Sequence, residues 1–471
     1  MNKLLLPLAA MVAASSLLAQ STMTPLATFG VGGWLAPGSA TYLGSANNER
    51  GFAYNPVTGN LVLVSRTGGI NIKVLNGLTG ADLGTLVATG ITGGTFAVNQ
   101  AGVADDGSIY VANLSTSAAT AFKVYKWDSE ALGLTTAPTV AYNNTSVIAR
   151  TGDSFAITGG SGGNPIRFAA AGTVASGPLN SSFLTGQLDA VPTNLATAYT
   201  GIAGTLTTSN DYRLGITFID QDTIIGNQGA NGRITSFGVS ATVDATIPLS
   251  AAQRPLSYAV IDGVPCLAVI DSNSSLVVIY DITVPSAPLT LASGNLTSGV
   301  LTGNSNGVGS VQWAAISGNT ATLYAMSSNQ GIQAFNVTID KPARATAFGV
   351  GCGAPALSLA ASARPVLGTT INLNTANLLP TMPITVYALG FSEFPGGVTL
   401  PIQPFTCTAY LATLDVTFLN FSGGAPTDTL PLTFPLDPFF SGVTVFGQAV
   451  GLDVNNDWVT TNGLRMYMKL F

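Results

Sequence analysis

Residues 50–80, RGFAYNPVTGNLVLVSRTGGINIKVLNGLTG, carry a pattern that the rest of the chain must accommodate, because it returns. It reads as three short strands, 51–54, 60–65 and 71–75, broken by tight turns. In the turn Asn55-Pro56-Val57-Thr58-Gly59 the proline fixes φ and the glycine accepts a positive φ. Leu61, Val62, Leu63 and Val64 are apolar without alternation, so this strand is expected to be covered on both faces, as when sheets stack face to face. The same order of strands and turns recurs over residues 100–126, 213–238, 254–282 and 306–337, with a weaker copy from Arg150.

The starts fall at 50, 100, 150, 213, 254 and 306, a period of roughly 50 residues, in the range of four-stranded propeller blades. The expected fold is all-β, with a β-propeller over residues 20–340. Six blades fit, and seven if the Ala/Gly/Ser/Thr-rich stretch 170–210 hides one rather than an insertion. Part of 25–45 is expected to supply the strand that closes the ring. After a short linker at 341–347 the composition shifts. Proline becomes frequent, and alternating segments at 371–373, 384–389, 411–418 and 443–450 read as a β-sandwich over 348–471.

Charged residues make up only 8% of the chain, far below the usual quarter. Apolar content is ordinary and turn residues punctuate the strands, so the surface is built of Ser, Thr, Asn, Gln and backbone, not left disordered. A formal charge of −6 with no basic run argues against a nucleic-acid partner. Residues 1–19 read as a secretory signal, with Lys3 as its basic start, an apolar region over 4–18 and cleavage near Ala19. The expectation is a secreted or cell-surface protein. No other segment approaches the ~20 apolar residues of a spanning helix. Of the three cysteines, Cys352 and Cys407 lie in the C-terminal part and are the natural disulfide pair in an oxidising compartment. Cys266 lies within an apolar strand and reads as a buried free thiol.

The chain contains no histidine. This removes Ser-His-Asp and Cys-His catalysis and His-ligated zinc. No metal site and no cofactor is expected. The glycine run at 159–163 lacks the Lys-Ser/Thr that follows in a phosphate loop. Glycoside hydrolysis would need two acids facing a sugar, and the only glutamates are Glu49, Glu130 and Glu393. The paired acids at 105–106, at 220 and 222, and the run 455–457 occupy hairpin-turn positions that favour Asp and Asn for backbone reasons alone.

The sharper signal is positional. Arg50, Arg150, Arg213 and Arg254 each stand just before the apolar inner strand of a repeat, and Gln100 and Asn306 take that place in the other two. In a propeller these six would gather at one rim of the channel. Guanidinium groups there offer fork-shaped donors to carboxylates, sulfates or sugar hydroxyls. Alternatively each arginine braces the ring against an acid or carbonyl of the adjoining blade, with Glu49, Asp153 and Asp211 near enough in sequence to serve. Trp127 and Trp34, near loops, are candidates for stacking on a sugar.

Two resemblances accompany this reading. NNERGFAYNPVTGNLVLVSR with GVADDGSIYVANL resembles an uncharacterised family of secreted bacterial propeller-like proteins, over about 47–240. That likeness brings no activity with it. Phe348-Gly349 with Gly351-Cys352, Pro365-Val366-Leu367-Gly368, Leu389-Gly390-Phe391-Ser392, Cys407, Gln448-Ala449 and Thr461-Asn462-Gly463-Leu464 resemble a domain at the C-terminus of many exported bacterial proteins. It implies an accessory or attachment module. The functional expectation is a non-enzymatic binding or cell-surface protein whose partner is a glycan, an envelope component or another protein. The rivals are a secreted carbohydrate-active enzyme using acids on the propeller rim, and a structural surface or matrix component.

Overall fold

The computed structural model describes residues 21–174, 181–189, 195–206, 210–297, 302–304, 306–400, 406–453 and 458–471. The expected signal segment 1–19 and the acid run 455–457 lie outside the described residues. The chain is nearly all β, with helical turns at Glu130–Gly133 and Pro438–Phe440. It divides into two compact units, meeting in sequence between Asp340 and Lys341.

Among the described residues, the first unit contains six antiparallel sheets. Five have four strands in simple meander order, beginning at Glu49, Phe96, Ile148, Gly215 and Gln253. The sixth is made of Gly309–Ser317, Thr320–Ser327 and Ile332–Thr338, and the N-terminal strand Thr22–Pro25 completes it, pairing Thr22 with Thr338 and Pro25 with Phe335. Trp34–Leu35 adds a short second pairing to Ile332–Thr338. This strand lies almost wholly before the stretch 25–45 expected to supply the closing strand, sharing only Pro25 with it, and Trp34–Leu35 is the pairing that falls inside that stretch. The described residues of the stretch 170–210 form no sheet of their own. Its described parts, Arg167–Val174, Ser181–Gln187 and Ala196–Thr200, are the remaining strands of the third sheet.

We number the innermost strands β1 (Glu49–Tyr54), β2 (Phe96–Val103), β3 (Ile148–Thr158), β4 (Gly215–Phe218), β5 (Gln253–Ile261) and β6 (Gly309–Ser317). Each packs on the next, and β6 packs on β1, so the contacts form a closed cycle. A narrow cavity of about 70 Å³ touches Tyr54, Gly102, Phe155, Thr217, Ser257 and Gln312, one residue from each of the six strands.

The period-2 geometry of a strand explains the uninterrupted apolar runs. Leu61 and Leu63 join the apolar layer shared with the sixth sheet, while Val62 and Val64 join the layer shared with the second. Cys266, Ala268 and Ile270 face the sixth sheet, and Leu267 and Val269 face the fourth. Each of the six gaps between neighbouring sheets is filled by its own apolar cluster.

Each gap is also crossed by a neutral side chain donating to a main-chain carbonyl. The Gln100 amide reaches the carbonyls of Arg50 and Asp153 at 3.0 and 2.9 Å. Ser154 donates to Tyr212 at 3.0 Å, Asn227 to Gln253, the Trp313 indole to Ser257 at 3.2 Å, and Ser310 to Phe52 at 2.8 Å. The innermost strand of each sheet has one edge without a ladder partner, and these bonds satisfy part of it.

In the second unit, a sheet ordered Arg344–Phe348, Gly463–Tyr467, Thr444–Leu452, Ile384–Gly390, Val416–Phe421 faces a three-stranded sheet of Ser358–Ala361, Thr370–Ala376 and Thr427–Thr433. Leu359, Ile371 and Leu373 from the smaller sheet meet Tyr387, Leu389, Ala449, Leu464 and Met466 from the larger in one core. The expected linker at 341–347 is largely structured, because Arg344–Phe348 pairs along its whole length with Gly463–Tyr467. A disulfide joins Cys352 to Cys407 across 55 residues of sequence, and Cys266 is a free, buried thiol.

Burial, with a smaller contribution from the Asp281 charge, pushes the Cys266 thiol up to about 12. Native alkylation at mildly alkaline pH is therefore expected to leave Cys266 unmodified until denaturant is added. Peptide mapping without reduction should recover Cys352 joined to Cys407. Rapid native labelling of Cys266 would contradict the register that buries it between the fifth and sixth sheets.

Candidate functional site

The inner strands begin earlier than their apolar cores suggest, and several carry a register break in their N-terminal halves. The breaks fall between Glu49 and Gly51 in β1, Phe96 and Gln100 in β2, Thr151 and Phe155 in β3, and Gln253 and Leu256 in β5. A bulge of this kind re-aims a side chain that regular pleating would send elsewhere. Arg50, Asp153 and Arg254 sit in the breaks. Gly152 permits the one in β3. Its φ is +101°, and a Cβ there would lie 2.2 Å from the Asn113 carbonyl oxygen. Gly51 has a different reason, since a Cβ would collide with the Gln100 side chain at 2.2 Å.

Asp153 is the centre of the arrangement, its side chain fully buried. Arg150 grips it with both Nε and Nη2, the latter at 2.9 Å from Oδ1. Arg213 donates its Nε to Oδ2 at 2.9 Å. The Arg50 guanidinium lies 3.8 Å from Oδ1. Burial alone would raise the Asp153 carboxyl, but the hydrogen bonds and charges of Arg150 and Arg213 outweigh it and hold the group below its ordinary value.

Arg50 has a different environment. Its side chain is 4% exposed, its Nε has no partner, and among the described residues its guanidinium accepts the ion pair with Asp153 in place of any hydrogen bond. Burial brings its pKa down to about 10, with Asp153 opposing the shift and Arg66, Arg150 and Arg213 adding to it. It stays charged at neutral pH. A buried charge without hydrogen bonds is uncommon and costly.

Arg50 faces a cavity of about 330 Å³ whose walls include Arg66, Arg150, Phe96, Asn48 and Asn306. Arg66 stacks on the Phe96 ring, 3.5 Å from its centroid, and donates Nη2 to the Asn47 carbonyl at 2.6 Å. Four guanidiniums, Arg50, Arg66, Arg150 and Arg213, are set against two carboxylates, Asp153 and Glu49, leaving an excess of two positive charges around the cavity.

Of the six positions singled out in the sequence, Arg50, Arg150 and Asn306 line this cavity together. Arg213 adjoins them through Asp153. Gln100 is not a wall. It is buried, and its amide is spent on two carbonyls of neighbouring strands. Arg254 stands apart, donating Nε to the Ala251 carbonyl at 3.1 Å and lying over Gly307. Of the suggested braces, Asp153 serves three arginines, Asp211 pairs with Arg233, and Glu49 accepts instead from Ser65, Thr67 and the Gly44 amide. Arg66 was missed because it follows a strand instead of preceding one. The antiparallel pairing of Glu49 with Ser65 brings it back to the same end.

The other candidates are tied up. Trp127 is buried and donates to the Val87 carbonyl, and Trp34 donates to Gln330. Glu130 accepts from Asn55, Thr58 and Asn60, and Glu393 takes a two-pronged bond from Arg465. No group of three or more potential metal ligands occurs among the described residues.

Replacing Asp153 by Asn leaves buried guanidiniums without their counter-charge and is expected to cost about 3–5 kcal/mol. Arg254→Ala, by contrast, should cost about 0–1 kcal/mol. Because the Asp153 carboxyl is depressed, its contribution is complete above the ordinary carboxylate value of 3.8 and is lost as pH falls through the lower folded value. Urea titrations should show a constant gap between wild type and Asp153→Asn near neutrality, narrowing only in strong acid.

Residues 42–219 match a domain of unknown function, DUF4623. No curated protein matches the chain. A DUF4623 family protein from Bacteroides eggerthii, 15% identical, aligns over 63% of this chain and 72% of its own with a TM-score of 0.50, a likeness of fold. More remote are a putative oxidoreductase (glucose dehydrogenase) from Thermus thermophilus, 10% identical over 62% of this chain and 96% of its own at TM-score 0.36, and a nidogen/laminin complex, 10% identical over 54% and 82% at 0.37. Neither bears on function. The match to DUF4623 takes in Asp153 and all four arginines around it, so the charged node belongs to the part of the chain that this family describes.

Proposed function

We propose that the chain is an exported, non-enzymatic binding protein, a six-bladed β-propeller followed by a β-sandwich, that holds a small anion in the cavity beside Arg50. The propeller reading is supported by the closed cycle of inner strands and by one apolar layer in each of the six gaps. The sandwich reading is supported by two sheets facing across a shared core. No described helix is long and apolar enough to cross a membrane, and the disulfide is consistent with an extracellular protein.

One observation carries the binding reading. The Arg50 guanidinium is buried, charged and without a hydrogen bond, and it borders a cavity with a surplus of positive charge. Bracing accounts for Arg150 and Arg213, whose donors are on Asp153. Arg50 reaches Asp153 only through an ion pair of 3.8 Å and donates no hydrogen bond among the described residues. A carboxylate or sulfate oxygen in the cavity would supply the missing acceptor and offset the charge.

The test is thermal unfolding of the full chain in sulfate, acetate or chloride at matched ionic strength. An anion that occupies the site raises the melting temperature in a saturable way, as any ligand of the folded state does. The shift should vanish in Arg50→Gln and weaken in Arg150→Ala. The same shift in wild type and both variants would mark a general salt effect and refute the site.

A further inference from the structure

We infer that the ligand of this cavity is a hexuronate unit, a sugar ring bearing one carboxylate. The inference rests on the anion-binding reading above and narrows it to a class. Its first ground is the shape of the free donors. Arg50 presents a planar guanidinium that makes no hydrogen bond among the described residues, over the Phe96 ring with its Cζ 5.3 Å from the centroid. A planar fork matches a planar carboxylate in two parallel bonds. Sulfate and phosphate are tetrahedral and ask for donors on several sides; here Arg150 has committed Nε and Nη2 to Asp153 and Arg66 has committed Nη2 to Asn47, and the buried guanidinium nitrogens left without a partner on this wall are Arg50 Nε and Arg66 Nε, a pair of donors that suits the two oxygens of a carboxylate.

The second ground is the neutral part of the wall. The side-chain amides of Asn48 and Asn306 have no hydrogen-bond partner among the described residues, and both face the cavity. An amide offers donors and an acceptor side by side. That combination suits hydroxyl groups, which also donate and accept, and is wasted on an anion that only accepts. Thr95 and Thr116, paired with each other through their hydroxyls, add further oxygens to the same wall. The cavity thus has a cationic end and an amide-hydroxyl end.

Size and field agree. A volume of about 330 Å³ is at the small end for ligand sites and suits a single ring with its substituents. The chain as a whole carries −6, which opposes the approach of a densely charged polyanion. A ligand with one carboxylate per ring meets less of that opposition.

The experiment is calorimetric titration of the full chain with D-glucuronate and D-galacturonate, alongside D-glucose, acetate and sulfate at matched ionic strength. At least one uronate is expected to bind ten-fold or more tightly than acetate, with no detectable binding of glucose. Arg50→Gln should abolish uronate binding. Asn306→Ala, at an exposed position that leaves folding intact, should weaken uronate binding several-fold and leave acetate binding unchanged. Acetate or sulfate binding as tightly as both uronates would keep the anion site and refute the sugar. Equal loss of acetate and uronate affinity in Asn306→Ala would refute the amide-hydroxyl end. Failure of every anion to bind would overturn this inference and the anion site with it.

Discussion

One buried carboxylate, Asp153, gathers three arginines at the N-terminal ends of the inner strands. Asp153 accepts from Arg150 and Arg213 and pairs with Arg50, and its main-chain carbonyl accepts from Gln100. Those five residues come from the first four sheets. The desolvation of a lone carboxylate would be prohibitive at zero exposure, so the arginines are a condition for its being there. The dependence also runs the other way. Without the carboxylate, three guanidiniums would crowd one end of the inner strands, and their mutual repulsion already contributes to lowering the Arg50 pKa.

Elsewhere the unit adds only scattered ion pairs, such as Arg167 with Asp222 and Arg233 with Asp211, to apolar and neutral contacts. Apolar layers fill all six gaps, and neutral side chains close on carbonyls across each of them. A neutral hydrogen bond contributes about 0.5–1.5 kcal/mol and avoids the desolvation cost of an ion pair. That economy fits a chain with only 8% charged residues. It also assigns a purpose to polar residues in apolar strands. Ser154, Asn227 and Ser310 are buried because each completes a carbonyl on the neighbouring sheet.

The repeat was legible in the sequence because burial on both faces writes itself as an unbroken apolar run, as in 61–64 and 266–270. The register of the closing strand was legible only roughly, since Thr22–Pro25 is mostly exposed and lacks that signature. The third sheet was illegible for the opposite reason. Its small residues, Ala169, Ala170 and Ala171, pack against large aromatics such as Phe168 and Phe183, so the strand lacks the apolar signature of the others. The convergence of Arg50 and Arg150 followed from their spacing. The bulges that aim Arg50 and Asp153, and the hairpin that returns Arg66, are relations between strands that no single stretch contains. Gln100 looked equivalent to the arginines by position and proved to be a staple, because only pairing reveals which way a strand residue points.

The departures from repetition set the charged node apart from the rest of the unit. A ring of six similar sheets can be stapled throughout by neutral groups, and every gap here is. The charged node is therefore an addition to a scaffold that is already held. It is also lopsided: Arg50, Arg150 and Arg213 meet on Asp153, while Arg254, at the matching place in the fifth sheet, bonds a local carbonyl and stays out. Arg50 joins the node by an ion pair of 3.8 Å alone, and its Nε is left without a hydrogen-bond partner. Several buried polar atoms of this unit lack partners, but among the described residues the cationic ones are Arg50 Nε and Arg66 Nε, and both arginines line the same cavity, which is why the proposed anion is placed there.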